Sequence, residues 1–172
     1  MVHKPAKSRS ARSRPAVRER SRHYLTDTSG DERTLPVHYI ESSALLSALL
    51  EEDAGVLAIL APEARCVTSA LTFAECFRAL VRARATGRIT SEAEQIIVRA
   101  LQTLQLRCAS IPLTEEVLER AGRPFPVEPV RTLGAVHLAS LEVLVLPRGQ
   151  VTVVTRDNRI RDNAALLGYV VT

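Results

Sequence analysis

The chain of 172 residues has no Trp and only three Tyr and three Phe. A hydrophobic core must therefore consist mainly of Leu, Val, Ile and Ala, and a surface that stacks nucleic-acid bases on aromatic rings is disfavoured. No apolar run reaches the roughly 18 residues that a membrane-spanning helix needs, so the sequence predicts no transmembrane segment. The length is that of one domain with a short appendage.

Cysteine is also scarce, with Cys66, Cys76 and Cys108 as the three examples. An odd number without a C-x-x-C pair excludes a disulfide framework and a zinc ribbon, and it favours a reducing compartment. All three fall in or beside apolar runs, so we expect buried thiols. The sequence also lacks the H-E-x-x-H, Walker, G-x-S-x-G and dinucleotide-binding motifs.

The positive charge is confined to the amino-terminal segment. The net charge is +4, but residues 1–36 carry nine Lys and Arg against four acids, whereas residues 37–172 carry fourteen against fifteen. Residues 1–35 are rich in Ser, Arg and Pro without an apolar period, which predicts a disordered basic arm. Three interpretations stay open: an arm that binds nucleic-acid phosphates, a targeting peptide, or a segment without function.

From residue 36 onward, short apolar runs alternate with helical patterns. Strands are predicted at 35–40, 66–68, 106–111, 151–155 and 169–171. The first helix is predicted to have Ser42 or Ser43 as its N-cap and to end at Gly55. Further helices are predicted at about 70–85, after a Ser91–Glu94 capping box, after Thr114, and at about 130–142 and 157–167. Strands separated by helices imply a parallel sheet covered on both faces. We therefore predict an α/β fold for residues 36–172, a three-layer α/β/α sandwich with a central, mainly parallel sheet.

Three acidic residues are predicted at the carboxyl edge of this sheet, where open parallel sheets bind ligands. Glu41 follows the first strand, Asp157 follows the strand at 151–155, and Glu75 lies in the helix at 70–85. For two of these acids a structural role competes with a role in ligand binding. Asp157 is also a good helix N-cap, and Glu75 can form an ion pair with Arg78. Clustered carboxylates repel one another unless a cation lies among them, and a hard ion such as Mg²⁺ or Mn²⁺ suits phosphodiester hydrolysis.

Four segments carry a family resemblance: YIESSALL, LTFAECFRAL, RTLGAVHLAS and VVTRDNRI. In this order and spacing they resemble the motifs of PIN-domain ribonucleases, and more narrowly those of VapC-like toxins of bacterial type II toxin–antitoxin pairs. The resemblance covers residues 37–172. It implies a PIN-like fold and an endoribonuclease that depends on Mg²⁺ or Mn²⁺, with Glu41, Glu75 and Asp157 as catalytic residues and metal ligands.

Two positions depart from the family pattern. Glu41 stands where the family has Asp, which extends the carboxylate by one methylene. Gly134 stands where the family has a third acid, so one negative ligand is lost. These departures imply an attenuated nuclease, and they leave open the alternative of an inactive PIN-fold module that binds RNA or a partner.

Further contacts follow from the same resemblance. Ser43 matches the serine that follows the first acid, and Arg131 and His137 are candidates for contact with RNA near the site. His137 is three residues after Gly134 and so lies on about the same helix face. The alternative interpretation is a helix histidine satisfied inside the protein. Two alternatives stay open for Arg78, Arg82 and Arg131, which either line an RNA groove beside the acids or solvate helix faces. The implied partners are a cognate antitoxin, an RNA substrate and a second copy of the chain, in a bacterial cytoplasm.

Overall fold

The computed structural model describes residues 37–61 and 64–172, so the predicted basic arm at 1–35 lies outside the described residues. Within them the strands are β1 (Val37–Ile40), β2 (Arg65–Ser69), β3 (Ala109–Ile111), β4 (Val151–Val154) and β5 (Val170–Val171). The helices are α1 (Ser42–Leu50), α2 (Ala54–Ile59), α3 (Ala70–Ala85), α4 (Ser91–Arg107), α5 (Glu115–Ala121), α6 (Thr132–Glu142) and α7 (Asn158–Leu166). None of these helices is long and apolar enough to cross a membrane.

The five strands form one parallel sheet in the order β3-β2-β1-β4-β5. β1 lies at its centre, and its last residue, Ile40, is in register with Val154 at the end of β4. The backbone N–H of Glu41 continues this pairing by donating to the Val154 carbonyl at 3.0 Å. The residues that follow β1 and β4 are therefore neighbours at the carboxyl edge of the sheet.

Alternation along the central strands divides the core into two layers. Tyr39 of β1 and Val153 of β4 pack on one face with apolar residues of α5, α6 and α7. Ile40 and Val154, the next residues of the same strands, pack on the other face with α1, α3 and α4. Successive strand side chains point to opposite faces, so a sheet covered on both sides needs apolar residues at both. The predicted three-layer sandwich is confirmed.

The expectation that Gly55 ends the first helix is wrong. α1 ends at Leu50, and Glu52 adopts a left-handed φ of 56°, which turns the chain. Gly55 instead lies in the first turn of α2, where its N–H and that of Val56 donate to the Asp53 carboxylate at 3.1 and 3.2 Å. Asp53 is thus the N-cap of a short helix that the pattern does not predict.

The boundaries of α4 also differ from the expectation. Thr90, not Ser91, is its N-cap, because the Thr90 hydroxyl accepts from Ala93 N at 3.2 Å. The helix then continues to Arg107, so that the strand predicted at 106–111 is reduced to 109–111. The capping box and the long strand predicted there are therefore wrong in position and in length.

A buried amide on α7 fixes the proline-rich loop that leads into α6. Asn163 is fully buried, its Oδ1 accepts from Val127 N at 2.8 Å, and its Nδ2 donates to Val127 O at 3.0 Å. The same Nδ2 donates to Arg159 O at 2.8 Å. One side chain therefore satisfies both backbone groups of Val127 and sets the path of the chain into α6.

We predict that Asn163→Ala lowers the free energy of unfolding by about 2–4 kcal/mol, because two backbone groups of Val127 lose their partners. Urea unfolding at equilibrium measures the change. Asn158→Ala, at an exposed position of the same helix, is the matched control. Equal effects of the two substitutions would contradict the role given to the buried amide.

Candidate functional site

The carboxylate of Glu41 is the most constrained group at the carboxyl edge of the sheet. Glu41 is 3 % exposed; its Oε2 accepts from Ser43 N at 2.9 Å, from Thr155 Oγ1 at 3.0 Å and from the Ser43 hydroxyl. Its Oε1 accepts from Ser42 Oγ at 2.6 Å. The expectation that Ser42 or Ser43 caps α1 is wrong, since Glu41 is the N-cap itself. Four donors stabilise a charge that burial would otherwise penalise.

Glu75 of α3 and His137 of α6 meet in front of this carboxylate. His137 Nε2 lies 2.6 Å from Glu75 Oε2 and 3.7 Å from Glu41 Oε1. The His137 side chain is 1 % exposed, whereas that of Glu75 is 20 % exposed and borders solvent. The alternative pairing of Glu75 with Arg78 is not among the ion pairs that the described residues form.

The three side chains together have the composition of a metal site. One ligand atom from each of Glu41, Glu75 and His137 lies within 4.8 Å of the other two. Carboxylate oxygen and imidazole nitrogen are both common ligands of divalent ions. Two acids this close to each other repel unless a proton or a cation lies between them. The donor set therefore fits one divalent cation.

Asp157 lies next to this cluster but is not part of it. It is the N-cap of α7, and its Oδ1 accepts from Arg159 N at 2.7 Å and from Ile160 N at 3.2 Å. Its own N–H donates to Thr155 Oγ1 at 3.1 Å, and that hydroxyl donates to Glu41. The capping interpretation describes this geometry, and the role of Asp157 as a metal ligand stays a prediction.

Position 134 faces the contact between α6 and α7. A Cβ atom added to Gly134 would lie 3.4 Å from Val130 Cγ1 and 3.7 Å from Ile160 Cγ1. Ile160 is in the first turn of α7, three residues after Asp157. The Cβ of an Asp at position 134 would therefore contact apolar side chains, close to Asp157 at the start of α7.

The candidates for RNA contact differ in accessibility. Arg131 is exposed at the start of α6, and Ser43 is half-buried, with its hydroxyl accepting from Arg156 N at 2.8 Å. His137 is almost completely buried, so its ring has little surface for an RNA phosphate in this conformation. The alternative interpretation of His137, a histidine with partners inside the protein, describes its position better.

A groove of about 880 Å³ begins at Glu75 and runs between α1, α3 and α6. Leucines from these three helices form much of its apolar wall: Leu46, Leu50, Leu71 and Leu133. Three arginines also line it: Arg78, Arg82 and Arg88. The groove thus places positive charge and apolar surface beside the acidic cluster, where an anionic chain can approach the site.

Other protonatable groups next to the cluster are held neutral. Burial raises the pKa of the Tyr39 hydroxyl well above its ordinary value, and the negative charge of Glu41 adds to the effect. Burial, with the charges of Glu41 and Glu75, raises the pKa of Cys76 to about 12. Cys76 is therefore no thiolate nucleophile at neutral pH. Cys76 and Cys108 are buried as expected, but Cys66 is only partly buried.

Comparisons with known proteins agree with this fold. The family model described as PIN domain matches residues 38–166. The structure of VapBC2 from Rickettsia felis, bound to a DNA fragment from its promoter, is similar with a TM-score of 0.53 at 12 % identity, over 79 % of this chain and 97 % of that one. PAE2754 from Pyrobaculum aerophilum has a TM-score of 0.54 at 17 % identity, over 80 % and 84 %. Comparison with curated proteins finds no match.

We predict that Thr155→Val lowers the free energy of unfolding by about 1–3 kcal/mol, because Glu41 and the N–H of Asp157 both lose a hydrogen-bond partner. Thermal unfolding followed by circular dichroism measures the change. Thr152→Val, the same substitution on β4 at a half-buried position, is the control. A loss no larger than that of the control would show that the hydroxyl does not hold the Glu41 carboxylate.

Proposed function

The chain belongs to the PIN domain family, whose members are generally nucleases, and we propose that it is a metal-dependent endoribonuclease and the toxin of a toxin–antitoxin pair. The predicted resemblance to this family is confirmed by the match over residues 38–166. The observation that carries the proposal is the meeting of Glu41 and Glu75 with His137 at the carboxyl edge of the parallel sheet. Substrates bind at this edge in open α/β sheets.

In the proposed mechanism Glu41 and Glu75 hold Mg²⁺ or Mn²⁺, with Asp157 as a further candidate ligand at the end of β4. A divalent ion held there supplies activation of water and neutralisation of charge on the phosphodiester. Glu41 needs no rearrangement for this role, because the hydroxyls of Ser42, Ser43 and Thr155 already orient its carboxylate. A preorganised carboxylate avoids the free-energy cost of ordering it during the reaction.

The groove provides the binding surface for RNA. Arg78, Arg82 and Arg88 line it and carry the positive charge that pairs with backbone phosphates. Arg131 is exposed at the start of α6 and adds a further guanidinium. Contacts of guanidinium groups with backbone phosphates support binding of RNA without defining its sequence.

The proposed protein partner is an antitoxin that covers the same groove. Leu46, Leu50 and Leu133 present apolar surface, while the arginines present positive charge. An amphipathic segment with acidic residues is complementary to such a surface. We also propose a homodimer and an action in the bacterial cytoplasm, both of which the resemblance to VapC-like toxins implies.

A second candidate function is that of a PIN-fold module that binds RNA or a partner without cleaving it. Gly134 favours this candidate, because the chain has no acid where the family has its third one. The two candidates differ in one measurable property, the cleavage of RNA in the presence of a divalent ion.

We predict that the wild-type protein cleaves a mixed RNA substrate with Mg²⁺ or Mn²⁺, and that Glu75→Gln and Asp157→Asn each reduce the rate by about a hundredfold or more. Asn caps helices as well as Asp does, so Asp157→Asn should preserve α7. Glu119→Gln, at an exposed position of α5, is the matched control. Gel analysis of 5′-labelled RNA gives the rates.

Each outcome of this assay has a distinct meaning. Loss of cleavage in Glu75→Gln alone would leave Asp157 with its capping role only. Unchanged cleavage in both variants would indicate a contaminating nuclease or a different site. Specific RNA binding without cleavage by the wild-type protein would favour the binding module.

We predict that Gly134→Asp binds Mg²⁺ or Mn²⁺ more tightly than the wild-type chain, since it restores a carboxylate ligand for a hard ion. The metal should then raise the melting temperature of this variant more than that of the wild type. Gly149→Asp is the control, because a Cβ added at 149 has no heavy atom within 4 Å. Calorimetric titration measures both affinities, and equal values for wild type and Gly134→Asp would show that position 134 does not face the ion.

A further inference from the structure

The imidazole of His137 lies beside the carboxylates of Glu41 and Glu75, in a site that lacks the third acid of the family pattern. Position 134 is a glycine, and Asp157 Oδ1 already accepts from two backbone N–H groups of α7. We propose, building on the metal site of the proposed function, that His137 Nε2 is the third protein ligand of the ion. Its nitrogen makes this chain prefer a divalent transition-metal ion, of which Mn²⁺ is the probe, to Mg²⁺.

The distances around His137 Nε2 match those between ligands of one ion. In an octahedral site with ligands about 2.1 Å from the ion, adjacent ligand atoms lie about 3 Å apart. Nε2 lies 2.6 Å from Glu75 Oε2 and 3.7 Å from Glu41 Oε1. Glu75 is the most exposed of the three side chains, so it has room for the small shift that this spacing requires.

The contacts of Tyr39 engage the other side of the His137 ring and leave Nε2 facing the carboxylates. The Tyr39 hydroxyl donates its proton to the His137 carbonyl oxygen at 2.9 Å. Its oxygen lies 3.3 Å from His137 Nδ1, and it can then only accept there, so Nδ1 carries the ring proton. Nε2 faces both carboxylates and shares a proton with Glu75 Oε2 across 2.6 Å. An ion that binds there takes the place of this proton, and the lone pair of Nε2 then faces the ion. Histidine ligands typically donate the other ring N–H to an oxygen in this way.

Burial keeps this arrangement fixed. Tyr39 is fully buried and His137 is 1 % exposed. The Tyr39 hydroxyl contacts both the carbonyl oxygen and Nδ1 of His137. The His137 ring therefore has little freedom to rotate Nε2 away from the carboxylates.

A nitrogen ligand changes which ion the site prefers. Mg²⁺ is held by oxygen ligands and gives up its waters reluctantly. Sites that contain nitrogen bind the divalent transition metals with an affinity that rises along the series from Mn²⁺. When an imidazole takes the place of the third carboxylate, the site therefore loses less affinity for Mn²⁺ than for Mg²⁺.

The test is electron spin echo modulation of Mn²⁺ bound to the full chain, which detects a ¹⁴N nucleus coordinated to the ion. We expect ¹⁴N modulation from the wild-type protein and its loss in His137→Gln. Calorimetric titration should show Mn²⁺ bound at least about tenfold more tightly than Mg²⁺, and in His137→Gln a fall in Mn²⁺ affinity of about tenfold or more with a smaller change for Mg²⁺.

Two further variants separate ligation from packing. Tyr39→Phe removes the partner of Nδ1 and should weaken Mn²⁺ binding by about tenfold while the ¹⁴N modulation persists. His38→Gln, on β1 and next to Tyr39 in sequence, should change neither affinity nor spectrum, because its side chain points to the other face of the sheet. Circular dichroism of the metal-free variants checks that each is folded.

The outcomes distinguish this inference from the proposed function. Bound Mn²⁺ without ¹⁴N modulation in the wild-type chain would overturn the nitrogen ligand, while cleavage of RNA could still establish the nuclease. Modulation that persists in His137→Gln would assign the nitrogen to another residue and also overturn it. Modulation that requires His137 in a protein without ribonuclease activity would support the inference and count against the proposed function. The wild-type spectrum decides the matter even where a variant does not fold.

Discussion

A buried carboxylate that must be compensated by hydrogen bonds is the constraint on which the site depends. Glu41 is 3 % exposed, and a charge in that position is tolerated only with several donors around it. The donors come from the start of α1, through Ser42 and Ser43, and from the end of β4, through Thr155. The Glu41 carboxylate thus caps α1 and links the ends of β1 and β4. Its Oε1 lies 3.7 Å from His137 Nε2.

Much of the fold follows from sequence patterns that have a single physical solution. α3 has the bounds 70–85 that its pattern predicts, because a long apolar stripe ends at a glycine with a left-handed φ, Gly87. Boundaries set by competing caps are less predictable. Thr90 and Ser91 are both good N-caps, and Gly55 suits the end of one helix as well as the start of another. For Gly55, the contact made by the Asp53 side chain decides which helix it belongs to. The helical pattern of the sequence does not show that this contact forms.

The site was predictable only where a residue's place in the topology determines its role. Glu41 follows a central strand, so its position at the carboxyl edge requires only the order of strands and helices. The contact of Glu75 with His137 joins residues 62 apart in sequence, and it depends on how α3 and α6 are rotated about their axes. Asp157 illustrates the opposite difficulty, since a helix cap and a metal ligand both belong at the exit of a strand.

Charge balance indicates how many ions the proposed site holds. Two carboxylates and a neutral imidazole carry a charge of −2, which one divalent ion compensates. Gly134 contributes no further charge, and Asp157 is stabilised by the backbone N–H groups at the start of α7. Of the three acids at the site, a second ion would therefore have only Asp157 to compensate its charge. The proposed nuclease would therefore work with one ion, and Arg78, Arg82 and Arg88 along the groove would compensate the remaining negative charge of the phosphodiester.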